Sequence, residues 1–463
     1  MIYSESHEWE AHSSTIFSCL INRSDLFETG VRKENAVQAQ LFKLPNLFKG
    51  HEMKELQFST KVLHAKPNKD DPHRSIRYPI YATAAYDYAS SQDIEDAFTS
   101  KKIAHSYSRI TNPTVEFFEK KINTLEDGVA SVAMASGMAA ITNTIFNLVS
   151  SGENIVASKY LFGNTFSFFK NTLTNLGIEV RFVDHTDFEQ VDAAFDDKTK
   201  LLFVETIANP QIIVADLSKL ADIAHKNGAI FVVDSTLTTP YLVHAKDHDV
   251  DVVIHSTTKY ISGGGTSVGG VVTDLGSADW TKFLILSKFH HLGAMAFTAR
   301  LRKEVYRNMG AALSPNTAYL HSLGLETLAL RLKQSSQSAL KIAQYLEEHE
   351  AVKSVSYAGL INDKFHSVSN QNFTKKLYGG LLSFELKDKE TSFKVMDQLE
   401  LIRRATNLND NTSLIIHPAS TIYAEFDEET RAGLGVTEGL VRLSVGLEEP
   451  EDLIADLEQA LSS

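Results

Sequence analysis

The middle of the chain alternates short apolar runs with segments of helical periodicity. The apolar runs predict strands, because almost every residue in them is aliphatic or aromatic. They lie at Val129–Met134, Asn154–Ala157, Glu179–Val183, Leu201–Glu205, Ala229–Asp234, Asp251–Ile254 and Val268–Thr273. Helices are predicted between them at Gly137–Val149, Thr165–Asn175 and Leu217–Asn227. This alternation predicts an α/β fold with a mainly parallel sheet and helices on both of its faces.

Three regions outside this middle part follow other patterns. Residues 1–52 show no sustained period, which predicts a disordered extension or a stretch upstream of the folded chain. Ordered-looking sequence begins at Met53, and an extended segment with prolines leads from Arg77–Tyr81 to Tyr107–Thr114, where Pro79 and Pro113 disfavour helix in the residues before them. From residue 310 a long helix is followed by strands and a last helix, predicted at Ala318–Leu346, Val352–Tyr357, Leu381–Leu386 and Pro450–Leu461. We therefore expect a main domain at 112–309 and a smaller C-terminal α+β domain at 310–463.

Composition narrows the classes of function. The net charge of −13 argues against binding to nucleic acid or to an anionic membrane surface. The single cysteine, Cys19, excludes an internal disulfide and fits a reducing compartment. Near the start, Glu5 and Glu8 stand where an export signal would need positive charge, and no apolar run approaches the roughly 18 residues that span a bilayer. A cytoplasmic location is the expectation.

Candidate chemistry lies at the carboxyl ends of the predicted strands, where open parallel sheets bind ligands. Asn209, Asp234 and Lys259 each follow a strand and are equally spaced, 25 residues apart. Pyridoxal 5′-phosphate (PLP) needs an amine for its aldehyde and a carboxylate for its pyridine nitrogen, and Lys259 and Asp234 could supply them. Alone, Lys259 could be a solvated turn residue and Asp234 a helix N-cap.

A phosphate site is also predicted. Gly137 and Met138 open a helix directly after a strand, so their backbone N–H groups would face an anion. Ser256 and Thr258, beside Lys259, could add hydroxyl groups. The glycine-rich run 262–270 precedes a strand instead of opening a helix, so it fits a loop beside the cofactor better than a dinucleotide fingerprint. A nucleotide-binding dehydrogenase on a similar sheet is the alternative from another class. No metal site is predicted.

Several longer motifs, from about Phe58 to the C-terminus, resemble the Cys/Met-metabolism family of PLP-dependent enzymes. The motifs are His255–Lys259, Tyr107–Thr114 and Leu440–Glu448. The resemblance implies the type I PLP-dependent transferase fold. It also implies that Lys259 carries the cofactor as a Schiff base and acts in catalysis. The cofactor contacts it implies are Asp234 at the pyridine nitrogen, Asn209 at the ring hydroxyl, and Ser256 and Thr258 at the phosphate.

Further residues take roles through the resemblance. Tyr107 and Arg109 would reach the phosphate of a neighbouring subunit, which implies a homodimer or homotetramer with shared active sites and makes 53–111 an arm towards that subunit. Arg442 would clamp the substrate carboxylate with its planar fork, the alternative being a surface charge on an edge strand. Phe162 stands where the family usually stacks a tyrosine on the PLP ring, so the lost hydroxyl's acid–base role would pass to Lys259 or Tyr107.

Two stretches point to one branch of the family. Gly265–Asp274 and Leu414–Thr421 are similar to the sulfhydrylases, and Asn407 stands where cystathionine-handling members tend to place a glutamate near the substrate amine. The resemblance therefore implies γ-replacement on O-acetyl-L-homoserine with sulfide or a small thiol, giving homocysteine or methionine, with Arg442 and Asn407 at the substrate. The alternatives are a methionine or homocysteine γ-lyase, a cystathionine γ-synthase and a cystathionine γ-lyase.

Overall fold

The structure is a computed structural model that describes residues 56–67, 71–99 and 101–463. The predicted extension at 1–52 therefore lies outside the described residues. None of the helices in the described part of the chain is long and apolar enough to cross a membrane.

A seven-stranded sheet forms the larger half of the fold, in the order β1-β7-β6-β5-β4-β2-β3. Its strands are β1 Ala130–Met134, β2 Asn154–Ser158, β3 Glu179–Val183, β4 Thr199–Glu205, β5 Ile230–Asp234, β6 Val252–His255 and β7 Gly270–Asp274. The run from β6 to β3 is parallel, whereas β7 lies antiparallel between β1 and β6. The register sets Glu205 beside Asp234 and Asp234 beside Ile254, so the carboxyl ends of β4, β5 and β6 meet at one edge.

Helices cover both faces of this sheet, since alternate residues of its strands enter two separate apolar clusters. On β5, for example, Phe231 and Val233 belong to one cluster, and Ile230 and Val232 belong to the other. The α-helices up to residue 309 are α1 Phe58–Leu63, α2 Ser91–Phe98, α3 Pro113–Glu126, α4 Gly137–Leu148, α5 Gly163–Ser167, α6 Phe188–Ala193, α7 Leu217–Lys226, α8 Thr239–Leu242, α9 Ala296–Arg300 and α10 Arg307–Met309. The predicted α/β architecture is confirmed.

A smaller five-stranded sheet follows, in the order β10-β11-β12-β9-β8. Its strands are β8 Ser354–Ser356, β9 Leu381–Glu385, β10 Arg403–Arg404, β11 Leu414–Ile416 and β12 Leu440–Ser444. The α-helices of this region are α11 Pro315–Glu348, α12 His366–Asn372, α13 Lys389–Gln398, α14 Glu428–Gly433 and α15 Pro450–Leu461. Because β12 is central in this sheet, its residues are buried. The smaller α+β part is confirmed, and the domain boundaries themselves stay a prediction.

The structure also corrects some of the predicted elements. The strand predicted at Val268–Thr273 begins only at Gly270, since the glycine-rich loop continues up to it, and the strand predicted at Val352–Tyr357 shortens to Ser354–Ser356. The helix predicted at Thr165–Asn175 begins at Gly163 and contains a π-helical turn, Phe168–Leu173. A strand at Arg442 was considered only as an exposed edge strand, whereas β12 lies in the centre of the smaller sheet.

Candidate active site

A cavity of about 740 Å³ opens where the carboxyl ends of the parallel strands face the smaller sheet. It gathers side chains from sequence positions more than 300 residues apart. The predicted site residues that line it are Gly137, Met138, Phe162, Asn209, Asp234, Ser256, Thr258, Lys259, Asn407 and Arg442. Tyr107 and Arg109 do not line it.

Lys259 lies on the turn that follows β6, with its amine inside the cavity. Its Nζ donates to Asn407 Oδ1 at 2.8 Å. Burial, together with the nearby positive charge of Arg442, lowers the pKa of Lys259 to about 8, although Asp410 opposes this change. The interpretation of Lys259 as a solvated turn residue is therefore wrong. An amine that is partly neutral near physiological pH can act as a nucleophile or a base.

Two carboxyl groups lie side by side at the ends of β4 and β5, the buried Glu205 and the partly buried Asp234. Asp234 Oδ1 accepts from the backbone N–H of Thr236 at 2.9 Å and from its hydroxyl at 2.5 Å. Burial raises the pKa of Asp234, and burial together with the charge of Asp234 raises the pKa of Glu205 well above its usual range. We infer that Glu205 takes the proton and Asp234 keeps the charge, because Asp234 accepts two hydrogen bonds from Thr236, whereas Glu205 accepts one, from the backbone N–H of Phe162. Asp234 is not a helix N-cap, since α8 begins after Thr238.

An anion cradle lies between Gly137 and Ser256. Ser136 caps α4 by accepting from the backbone N–H of Ala139 at 3.0 Å, and the first N–H groups of a helix have no partner within it. A Cβ added to Gly137 would lie 2.7 Å from Ser256 Cβ, so only glycine fits beside it. Thr258 exchanges hydrogen bonds with the backbone of Gly269, which fixes its hydroxyl at the cavity wall.

Phe162 and Asn209 approach the cavity from loops that follow β2 and β4. The backbone N–H of Phe162 donates to Glu205 Oε1 at 2.7 Å, which fixes the main chain beneath its ring. The Asn209 side chain is buried, and its Oδ1 accepts from Arg442 Nη1 at 3.2 Å. One wall therefore offers an aromatic face and an amide to a planar ligand.

Arg442 lies on β12, the central strand of the smaller sheet, and is 1% exposed. Its Nη2 donates to the backbone oxygens of Thr406 and Asn407, at 3.3 and 3.0 Å. Among the residues that the structure describes it forms no ion pair, and burial lowers its pKa to about 10. The alternative of a surface charge on an edge strand is wrong. A buried guanidinium without a carboxylate partner suits a ligand carboxylate.

Tyr107 and Arg109 lie together outside this cavity. Tyr107 is 43% exposed and forms an antiparallel bridge with Ala85. The guanidinium of Arg109 lies 5.6 Å from the centre of the Tyr107 ring, and its Nη1 donates to the backbone oxygen of Arg307 at 2.5 Å. Their role in a neighbouring subunit stays a prediction.

Three residues of the site were not predicted from the sequence. Glu205 ends β4 just as Asp234 ends β5, so its position at a strand end was a usable signal. Thr236 accepts from the backbone N–H of Ser256 at 2.7 Å while donating to Asp234, and so connects the carboxylate with the anion cradle. Asp410 accepts from the Asn407 amide at 3.0 Å. For Thr236 and Asp410 the hydrophobic pattern carries no signal.

Comparison with known proteins defines the class. The family model of the Cys/Met metabolism PLP-dependent enzymes matches residues 59–462, and the chain belongs to that family. Within it, the chain is similar to the O-acetyl-L-homoserine sulfhydrylase of Corynebacterium glutamicum, with 38% identity over 87% of this chain and 96% of the relative. The predicted membership of the family is confirmed, and the dehydrogenase alternative is wrong.

Two solved structures have the same fold. One is described as an O-acetylhomoserine (thiol)-lyase of Campylobacter jejuni that carries an N′-pyridoxyl-lysine-5′-monophosphate. It has a TM-score of 0.83 and 36% identity, over 88% of this chain and all of that one. The other is an O-acetylhomoserine sulfhydrylase from the methionine biosynthetic pathway of Wolinella succinogenes. It has a TM-score of 0.69 and 46% identity, over 76% of this chain and 97% of that one.

The residues present fit the PLP that the family uses. The wall at Gly137 would be filled by a single Cβ, so the backbone is open to a close anion. Asp234 is a partly buried carboxylate for a ring nitrogen, and Lys259 is an amine of lowered pKa for an aldehyde. One chain therefore supplies groups for the phosphate, the ring nitrogen and the aldehyde of the cofactor. Only the predicted contribution of Tyr107 and Arg109 would come from a neighbouring subunit.

Proposed function

We propose that the protein catalyses γ-replacement on O-acetyl-L-homoserine. Sulfide or a small thiol bonds to the γ-carbon, the bond from that carbon to the acetate oxygen breaks, and acetate leaves. The product is homocysteine from sulfide, or methionine from methanethiol. The similarity to O-acetyl-L-homoserine sulfhydrylases over nearly their whole length supports this choice among the reactions of the family.

One observation carries the proposal: the amine of Lys259 and the guanidinium of Arg442 face the same cavity. An amino acid held by its carboxylate at Arg442 would present its α-proton to Lys259. Because the pKa of Lys259 is about 8, part of the amine is neutral and able to take that proton. Asn407 lies beside the proposed position of the substrate carboxylate, since its backbone oxygen accepts from Arg442 at 3.0 Å.

The roles of the other residues follow from the cofactor. When bound, PLP supplies the electron sink that makes protons next to the amino-bearing carbon acidic. In the proposal Asp234 pairs with its ring nitrogen, Asn209 with its ring hydroxyl, and Phe162 stacks on its face. The groups assigned to its phosphate are the backbone of Gly137 and Met138 and the hydroxyls of Ser256 and Thr258.

The acid–base role that a hydroxyl at residue 162 would have must pass to another group. Phe162 has no hydroxyl, so Lys259 is the only ionisable side chain of the cavity wall that combines an exchangeable proton with a pKa of about 8. Tyr107 of a neighbouring subunit is the second candidate, and Arg109 would join it at the phosphate. Assembly into a homodimer or homotetramer and a cytoplasmic location belong to this proposal, both drawn from the sequence.

An assay of four substrate mixtures tests the proposal. The purified holoenzyme is given O-acetylhomoserine with sulfide, O-acetylhomoserine with methanethiol, O-succinylhomoserine with sulfide, and methionine alone. We expect acetate release with homocysteine or methionine in the first two. Turnover of methionine to 2-oxobutyrate, without replacement, would instead favour the γ-lyase. The Lys259→Ala variant should lose both turnover and the visible cofactor absorbance.

A further inference from the structure

A short chain of side chains connects Lys259 to the loop that follows β10. Lys259 Nζ donates to Asn407 Oδ1 at 2.8 Å, and Asn407 Nδ2 donates to Asp410 Oδ2 at 3.0 Å. Both ends of the Asn407 amide are therefore occupied, one by the amine and the other by a carboxylate. The function proposed above uses Lys259 but gives Asp410 no role.

Asp410 is held in place from its other side. Its Oδ1 accepts from the backbone N–H of Asn411 at 2.7 Å. Gly265 lies so close that a Cβ there would be 2.3 Å from Asp410 Oδ2, and its φ of +59° is one that glycine favours. The loop that follows Lys259 thus packs against this carboxylate, which leaves Oδ2 directed at Asn407.

The main chain of Asn407 is fixed as well. Its backbone oxygen accepts from Arg442 Nη2 at 3.0 Å, so the direction in which its side chain leaves the loop is set by a buried residue. The Asn407 side chain can still rotate its amide group by half a turn. This rotation exchanges the positions of the amide oxygen and the NH₂ group. The two orientations have opposite consequences for Lys259.

With the oxygen towards Lys259, the amide accepts one N–H and leaves the lone pair of a neutral amine free. With the NH₂ group towards Lys259, the amide would donate to that lone pair and occupy it. An ionised carboxylate can only accept hydrogen bonds, so Asp410 holds the NH₂ group on its own side. Asp410 therefore selects the orientation in which Lys259 can still take a proton.

We propose that Asp410 is a positioning residue that, through the amide of Asn407, keeps the lone pair of Lys259 available for removing the α-proton. The proposal rests on the proposed function in that Lys259 is the base. The charged groups that act on Lys259 are Arg442, whose charge lowers its pKa, and Asp410, whose charge raises it. Arg442 is unchanged in all variants below.

L-2-Aminobutyrate isolates the step, because it has an α-proton but no leaving group on its γ-carbon. Exchange of that proton with D₂O is followed by NMR in the holoenzyme. Asp410→Asn can donate as well as accept, so the Asn407 amide is free to turn, and we expect exchange to slow about tenfold. The visible absorbance of the cofactor and the dissociation constant of 2-aminobutyrate should stay within about twofold, since the variant keeps Lys259, which attaches the cofactor, and Arg442, which binds the carboxylate.

Two further variants make the test specific. Asn411→Ala alters the exposed neighbour of Asp410 and should leave exchange near the wild-type rate. Asn407→Leu removes the amide, so adding D410N to N407L should cause no further loss. Undiminished exchange in D410N, an equal loss in the N407L background, or a loss of cofactor absorbance in D410N would each overturn the proposal.

The outcome for Asp410 can be separated from the outcome for the proposed function. If the wild type exchanges the α-proton but performs no γ-replacement, the proposed reaction is wrong and the role of Asp410 is still tested. If K259A abolishes exchange while D410N leaves it unchanged, the role of Asp410 is wrong, whereas the requirement for Lys259 stands.

Discussion

Replacing Arg442 by methionine should separate activity from stability. Burial lowers the pKa of Arg442 from 12.5 to about 10, and each unit corresponds to about 1.4 kcal/mol, so keeping it charged costs the fold about 3 kcal/mol. Its three hydrogen bonds have a charged donor, and at about 1.5 kcal/mol each, the lower end for such bonds, they return about 4–5 kcal/mol. The two contributions differ by only about 1–2 kcal/mol, and we expect the Arg442→Met variant to unfold within about 4 °C of the wild type.

Activity should respond quite differently. Removing one partner of a buried charge pair costs about 2–5 kcal/mol, so kcat/KM for O-acetylhomoserine should fall by about 30-fold to 4,000-fold in R442M. Steady-state kinetics and thermal unfolding are measured on holoenzyme at matched protein and PLP concentrations. The reasoning would be refuted if the Arg442→Met variant kept its kcat/KM, or if its unfolding temperature fell so far that unfolding accounted for the lost activity.

Arg331 provides a matched control. It is also a buried arginine whose pKa burial lowers to about 10, but it lies on α11 and does not line the cavity. Arg331→Met removes the same group and should change the unfolding temperature by a similar small amount. Its kcat/KM should stay within about threefold of the wild type, because no substrate carboxylate depends on it.

Three other results are expected. Lys259 acts as a base only when neutral, and its pKa is about 8, so kcat should rise with pH through about 8 and level off above it. A rise of kcat that is centred near the ordinary pKa of lysine would contradict this. Gly137→Ala should weaken PLP retention in dialysis by about tenfold or more, since its Cβ would lie 2.7 Å from Ser256 Cβ, whereas Gly433→Ala, with no atom within 4 Å, should not. If active sites are shared between subunits, hybrids of the inactive Arg109→Ala and Lys259→Ala chains should regain activity, because one site then has both wild-type residues. Hybrids that stay inactive would argue against sharing.

The sequence was most informative where a side chain follows a buried strand. Asn209, Asp234 and Lys259 each lie at or shortly after the end of an apolar run, so the pattern that predicts the strand also predicts the place of the side chain. The central sheet could be derived for the same reason. The family resemblance then gave roles that spacing alone left open, above all for Lys259.

Other parts depend on contacts that no local pattern contains. The hydrogen bond between Lys259 and Asn407 joins residues 148 positions apart, and Asp410 matters only because that contact exists. Arg442 interrupts the apolar run of β12, so a buried strand looked less regular than it is. Glu205 could have been found from its place at a strand end, although its raised pKa comes from burial and from its neighbour Asp234 on another strand.

The main-chain anchor at Phe162 has a consequence for how such an enzyme can diverge. The loop is held by the backbone N–H of Phe162 on Glu205 and by the Tyr423 hydroxyl, which donates to the backbone oxygen of Leu161 at 3.1 Å. Neither contact involves the side chain of Phe162. Substitutions at this position can therefore accumulate without displacing the loop, so that reaction preference can drift between descendants while the scaffold stays the same.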